Sequence, residues 1–438
     1  MPSYKLKTLV LLSLLPLLLT ACTLQDLPGI GKFFGGNETS PIELAMWGLW
    51  EKDYTFQPIV ETYKETYPNF SLNYEDMSVL NLDGLVEYKK RVFSRLEQDS
   101  WDVDVVMVHN SWVPRLAAAG YLDAMPSDLI DAETYAQKFY PVASTDSVFG
   151  GNVFAVPAYY DGLVLVYNKD HFEEVGQVSA PTAWEEFRRL AIDLTVLEEG
   201  SEGQITRAGA AVGSADNIAH FSDILGLMWA QTGVRIPQQI DSVPAQDAMD
   251  FYLDLMREYK VWRSDFPEAT TAFVNGQVSM IFVPSWQILD IIAANPTLNF
   301  GVAVPPQANP EAPITWGSYW SYVVPKNADD KKDAWNYIDY MSSEEAQLAM
   351  HQEASSVRPF GTAFSLTSIA SELDLDPYLA PVLDTAPYAR SAEIAGRSGN
   401  RLQETELAKA INSILDDDLD MTVADALTEA KKVLAPGQ

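Results

Sequence analysis

The sequence predicts an α/β protein built as two lobes, and three observations carry that prediction. The chain has 438 residues, more than one hydrophobic core usually fills. Hydrophobic residues make up 47% of it and aromatic residues 11%, enough apolar surface to offset the entropy of ordering the chain, which excludes disorder. From Pro41 onward short apolar runs alternate with helical patterns, the mark of strands joined by helices into largely parallel sheets.

Taken in order, residues 1–22 (MPSYKLKTLVLLSLLPLLLTAC) place Lys5 and Lys7 before an apolar run, Leu9–Leu19, and then small residues. This reads as a signal peptide over 1–21, too short to span a membrane in the mature protein. Its end, Leu19-Thr20-Ala21-Cys22, resembles a bacterial lipobox, in which Cys22 is lipidated and becomes the new N-terminus. Residues 22–40 carry Gly, Pro and Ser without a sustained period and read as a tether. Strands are expected at Ile42–Trp47, Phe70–Glu75, Val103–Val108, Gly151–Pro157, Leu163–Tyr167, Val278–Val283 and Phe300–Val304, with a long one at Ile314–Val324. Helices are expected at Tyr54–Tyr67, Leu82–Leu96, Ala245–Tyr259 and Thr422–Leu434. Another carries Trp184, Phe187, Leu190 and Leu194 behind a Thr182/Glu185 capping box. Trp229, on an apolar helical stretch, reads as core.

The 29 Lys plus Arg stand against 61 Asp plus Glu, a formal net charge of −32. Such a chain repels nucleic-acid phosphate and anionic surfaces, which excludes a nucleic-acid partner. One cysteine and four scattered histidines (109, 171, 220 and 351) leave no internal disulfide and no zinc pattern, so neither cofactor nor metal is expected. Catalysis is not expected either. No G-x-S-x-G, H-E-x-x-H or P-loop pattern occurs; the closest approach to the first, Gly396-Arg397-Ser398-Gly399-Asn400, lacks its closing glycine. Asp416-Asp417-Asp418 lacks the spacing of a calcium loop.

Four blocks, in order, carry a family resemblance. They are WDVDVVMVHNSWVPRLAAAGYLDAM (Trp101–Met125), GGNVFAVPAYYDGLVLVYNKDHFEEVG with APTAWEEF (Gly150–Phe187), AFVNGQVSMIFVPSW (Ala272–Trp286), and FGVAVPP through WGSYWSYVVPKN to DAWNYIDYMSSEEAQ (Phe300–Met350). Together they resemble the extracellular solute-binding proteins of ABC importers, in the sugar-binding, maltose-binding-protein-like group called family one. The resemblance implies a two-lobed periplasmic-binding-protein-like fold of type II with three hinge crossings, near 157–162, 304–306 and 355–359. Lobe one would take 41–158 plus 306–354, and lobe two 162–304 plus 359–438. It also implies a carbohydrate ligand in the cleft, an ABC permease as partner, and an extracytoplasmic protein held to the membrane through Cys22, with a monomer as the expected state.

A sugar presents apolar C–H faces rimmed by hydroxyls, so its site needs aromatic platforms beside groups that both donate and accept. Aromatic and polar residues gather at the loops the resemblance places at the cleft. After the first strand come Trp50 and Glu51, and after the third Asn110 and Trp112. Tyr159, Tyr160 and Asp161 sit at the first crossing, Trp286 closes the third block, Gly317 and Trp320 lie in the predicted long strand, and Arg358 is at the last crossing. Where maltose-binding proteins carry a late stacking tryptophan, this chain reads RLQETEL around Gln403, which argues against a maltodextrin. Two further ligand classes stay open: a cationic solute such as a polyamine, held by Glu51, Asp161 and the tryptophans, and ferric iron at Tyr159 and Tyr160. A secreted glycosidase would need a carboxylate pair that 61 acids do not single out.

Overall fold

Apolar runs bounded by turns form the strands, and the computed structural model describes residues 41–79, 84–98, 101–198, 200 and 204–435. The expected signal peptide, Cys22, the tether and Leu82 lie outside them. In chain order the strands are β1 (Ile42–Gly48), β2 (Phe70–Asp76), β3 (Val105–His109), the short pair β4 (Val148–Phe149) and β5 (Asn152–Val153), β6 (Val156–Pro157), β7 (Leu163–Asn168), β8 (Val196–Leu197), β9 (Ile205–Ala210), β10 (Val278–Pro284), β11 (Phe300–Ala303), β12 (Thr315–Trp316), β13 (Trp320–Val323) and β14 (Ala389–Arg390). They assemble into two five-stranded sheets, ordered β2-β1-β3-β13-β6 and β11-β7-β10-β9-β8, with β12 paired to β14 and β4 to β5.

The sheets are mixed in direction. β1 runs parallel to β2 and β3, as strands returning through helices must. β13 and β6 complete the first sheet antiparallel, because the chain passes there directly from one sheet to the other. In the second sheet only β9 and β10 are parallel; β7 runs opposite to both β10 and β11, and β8 opposite to β9. Mostly parallel sheets were expected from the strand and helix alternation. The α/β class holds, while half of the first sheet's pairings and most of the second's run antiparallel. β3 and β10 are buried along their whole length, which is why both read as near-continuous apolar runs.

Three local expectations change. The long strand at Ile314–Val324 breaks into β12 and β13. Gly317 N–H turns to the Arg390 carbonyl (2.9 Å) and Ser318 N–H to the Asp161 carbonyl (3.0 Å), which carries the backbone across to other segments. The run at Gly151–Pro157 gives only β5 and β6. The helix Trp184–Leu194 starts from Ala183 without a side-chain cap. It is Glu186, not Glu185, that reaches back to Thr182 N–H (2.8 Å), while Glu185 pairs with Arg188 one turn along. At the far end Thr422 caps the helix Val423–Leu434 by accepting from Asp425 N–H. Trp229 is fully buried and its indole N–H donates to the Ala245 carbonyl.

Gly162 occupies the first crossing between sheets and bridges to Gly317. A side chain there would meet the Trp316 carbonyl at 2.8 Å and the Tyr160 hydroxyl at 2.9 Å, so the close approach of the two crossing segments requires glycine.

Candidate functional site

One edge of each sheet contributes to a shared cavity. In the first sheet the carboxyl ends of β1, β2 and β3 lie together, and the start of β13 joins them, since Trp320 pairs with His109. In the second sheet the end of β10 and the start of β7 share an edge, since Pro284 pairs with Leu163. Loops leaving these ends enclose a cavity of about 540 Å³, within the range of small-molecule sites, at the strand ends where α/β sheets bind ligands.

Aromatic side chains supply much of its wall. Trp50, just past β1, is 45% exposed and meets Trp320 edge to face at a centroid distance of 5.0 Å. Its backbone is left-handed, φ +62°, and Asp76 steadies it by accepting from Trp50 N–H (3.2 Å) while binding Lys52 and Ser78. A non-glycine residue in that region is strained and persists where its surroundings dictate it. Trp286, at the start of the helix Trp286–Ala294, is 40% exposed.

Polar groups fill the space between the tryptophans. Glu51 accepts from Arg358 Nη2 at 2.9 Å and from the Thr55 hydroxyl at 3.3 Å, so acid and guanidinium largely neutralise one another inside the wall. Asp161 Oδ1 accepts from Gly162 N–H (2.7 Å) and Ser285 N–H (2.9 Å), tying the first crossing to the end of β10. Burial nevertheless pushes its carboxyl up to about 6, against the lowering effect of those donors. His109 bonds Ser111 Oγ (2.8 Å) and Ser318 Oγ (3.1 Å) through its two ring nitrogens. Burial, with Lys89 nearby, holds it down at about 3, which keeps the ring neutral. Burial also raises the Tyr159 hydroxyl, helped by Asp161 and Glu51, so it stays a protonated donor.

Residues 47–348 match the family of bacterial extracellular solute-binding proteins. The chain belongs to that family. The solute-binding protein is 21% identical over 392 residues to a binding protein of Brucella abortus, covering 86% of this chain and 89% of that one. It is 21% identical over 343 residues to the mannitol-binding protein of Pseudomonas aeruginosa, covering 76% and 74%. Among solved structures, the sugar-binding protein MalE from Xanthomonas citri shares the fold at a TM-score of 0.71 and 15% identity, over 90% of this chain and 96% of that one.

In this solute-binding protein Trp50, Glu51, Tyr159, Tyr160, Asp161, Trp286, Trp320 and Arg358 line the cavity. Tyr160 is only 2% exposed, with its hydroxyl toward Thr385, so it forms wall more than contact surface. Three expected ligand residues lie elsewhere. Asn110 spends both ends of its amide inside the protein, donating to Asp146 (2.8 Å) and accepting from Tyr319 N–H (3.0 Å). Trp112 is fully buried: its indole N–H donates to the Ser398 carbonyl (3.0 Å) and the Lys89 ammonium lies over its ring. Gly317 is engaged by backbone pairing with Gly162 and Arg390 and presents no free face.

Other lining residues were not among the expected contacts. His109 and Ser318 line the cavity, as do Asp290, Arg397 and Glu404. The last two come from a segment that enters only because Asp223 accepts from Gly396 N–H and Asn400 donates to Ser111, contacts spanning 173 and 289 positions of chain.

Proposed function

We propose that the protein captures a carbohydrate, a sugar or sugar alcohol of modest size, in this cavity and hands it to an ABC permease. The observation that carries the reading is the wall itself. Two half-exposed tryptophans, Trp50 and Trp286, stand with Trp320 beside hydroxyl, guanidinium and carboxylate groups in a cavity of about 540 Å³, the combination that apolar sugar faces and their hydroxyls need. The mannitol-binding relative and the sugar-binding MalE fold neighbour support it. Glu51 and Asp161, the two acids the sequence offers a cationic solute, are already engaged by Arg358 and by backbone N–H groups, which weakens the polyamine reading. Ligand favours the closed arrangement because only there do both sheets' loops touch it.

On this reading the segment before Pro41 serves as signal peptide, lipid anchor at Cys22 and tether, holding a monomeric receptor outside the membrane. Radiolabelled palmitate incorporated by the full-length chain and lost on Cys22→Ser is the expected result. Calorimetric titration with mannitol, tagatose, maltose, mannotriose and spermidine tests the ligand class. At least one carbohydrate should bind and raise the melting temperature, contributing about 2.7 kcal/mol at a hundredfold excess over Kd. Binding of spermidine with silence from every carbohydrate would overturn it.

A further inference from the structure

The segment Gly396–Asn400 is held from several sides. Gly396 N–H donates to both carboxylate oxygens of buried Asp223, at 3.0 and 3.1 Å, and a side chain at Gly396 would come within 2.6 Å of that carboxylate. The Ser398 carbonyl accepts the Trp112 indole N–H. Asn400 donates to Ser111 Oγ (3.0 Å) and accepts from Lys89 Nζ (2.6 Å). Asp223 belongs to the helix Phe221–Gln231, whereas Ser111 and Trp112 follow β3 in the first sheet.

Between these anchors Arg397 adopts a left-handed backbone, φ +52°, and its N–H donates to Glu404 Oε1 (2.8 Å). Its side chain is exposed, lines the cavity and lies 5.4 Å from the Trp286 ring. Arg358, the other guanidinium of the cavity, is paired with Glu51 at 2.9 Å. Arg397 has no carboxylate within ion-pair distance among the described residues. Its charge tempers the rise that burial gives the Asp290 and Glu404 carboxyls without closing a direct ion pair. A strained, exposed arginine backed by an aromatic ring and pointed at a ligand cavity is a feature that stability alone does not explain.

We infer that Arg397 is a specificity-determining contact for the ligand, its guanidinium fork donating to two adjacent hydroxyls of an uncharged sugar. The inference rests on the carbohydrate reading above. The fork offers parallel N–H donors at a spacing that suits neighbouring oxygens, which an ammonium does not. A sugar acid is disfavoured because Glu51, Asp161, Asp290 and Glu404 also line the cavity, four carboxyl groups against two guanidinium groups, and an added anion would face them. Arg397 also covers part of Trp286, so a second sugar ring could stack there only by displacing it.

The test is calorimetric titration of the full chain and of Arg397→Ala, Arg397→Lys and Arg397→Gln with mannitol, tagatose, maltose, mannotriose and galacturonate. Wild type binding none of the neutral probes defeats the carbohydrate reading itself. Given a neutral probe that binds, Arg397→Ala should weaken it at least about tenfold. Arg397→Lys and Arg397→Gln should fail to restore it, and mannotriose should gain on the shorter probes in Arg397→Ala as the Trp286 face opens. Binding of the same probe within about twofold, with the order of probes unchanged, overturns the inference. So does restoration by Arg397→Lys, or galacturonate binding wild type more tightly than every neutral probe.

Discussion

His109 shows how one buried side chain sets the protein's response to acid. Unfolded, a histidine titrates near 6.5; buried against Ser111 and Ser318 it is held at about 3. Because the folded value is depressed, the stability from burying the neutral ring is complete above pH 6.5 and is lost as pH falls below it. Between pH 7 and pH 5 that loss amounts to about 2 kcal/mol. Asp146 and Asp161 act in the opposite direction. Burial raises both to about 6, so the folded state binds their protons first and each adds stability as pH falls from 7 toward 4. His109→Gln removes only the first effect. The variant should be less stable than wild type at pH 7 in urea unfolding, and the gap should shrink by about 2 kcal/mol at pH 5; a gap constant with pH would show that the ring is not buried neutral. Little of this was legible beforehand. His109 ends β3 and Asn110 follows it; the asparagine reads as a ligand contact and the histidine as a structural one. Only Asp146, whose carboxylate gathers Asn110, Tyr319 and Ser391, decides that the asparagine turns inward.

At the scale of elements, helix and strand meet most tightly at Gly209 in β9. A side chain there would lie 1.7 Å from the Ala191 carbonyl oxygen of the helix Trp184–Leu194. That carbonyl is also held by the Thr195 hydroxyl (2.7 Å), which accepts in turn from Gly209 N–H (3.1 Å). The obstacle is backbone, which cannot swing aside, so Gly209→Ala should cost at least the 1–3 kcal/mol typical of overpacking. A large drop in urea midpoint, or failure to fold, is expected; an unchanged midpoint would contradict this packing. Most of the strands and helices placed from periodicity fall within a residue or two of the observed ones, because burial on one face imposes its own spacing. The break after Trp316 was not, because it depends on Arg390 and Asp161 arriving from elsewhere to take up the N–H groups of Gly317 and Ser318.

At the scale of the molecule, the described residues from Ile42 onward form one compact unit, and both sheets with their cavity belong to it. A chain beginning at Pro41 should therefore fold, melt at the same temperature as the full chain and bind the same ligand with the same affinity, as differential scanning calorimetry and titration would show. A lowered melting temperature would mean that the leading segment stabilises the fold. Inside the cavity Glu51 is matched by Arg358, while Asp161, Asp290 and Glu404 leave the lining acidic beside Arg397. The chain's net charge and the cavity's thus have the same sign, and both disfavour an anionic ligand.

By itself the sequence determined the α/β class, the order of elements, and the clustering of aromatic residues near strand ends, because local periodicity and turn chemistry are written in neighbouring residues. Tertiary structure alone decided which of those side chains face the cavity. Trp112 meets its partner Ser398 across 286 positions of chain, and no local pattern reports such a contact. The same long-range packing turned Asn110 and Trp112 into supports and brought Arg397 and Glu404 to the cavity wall.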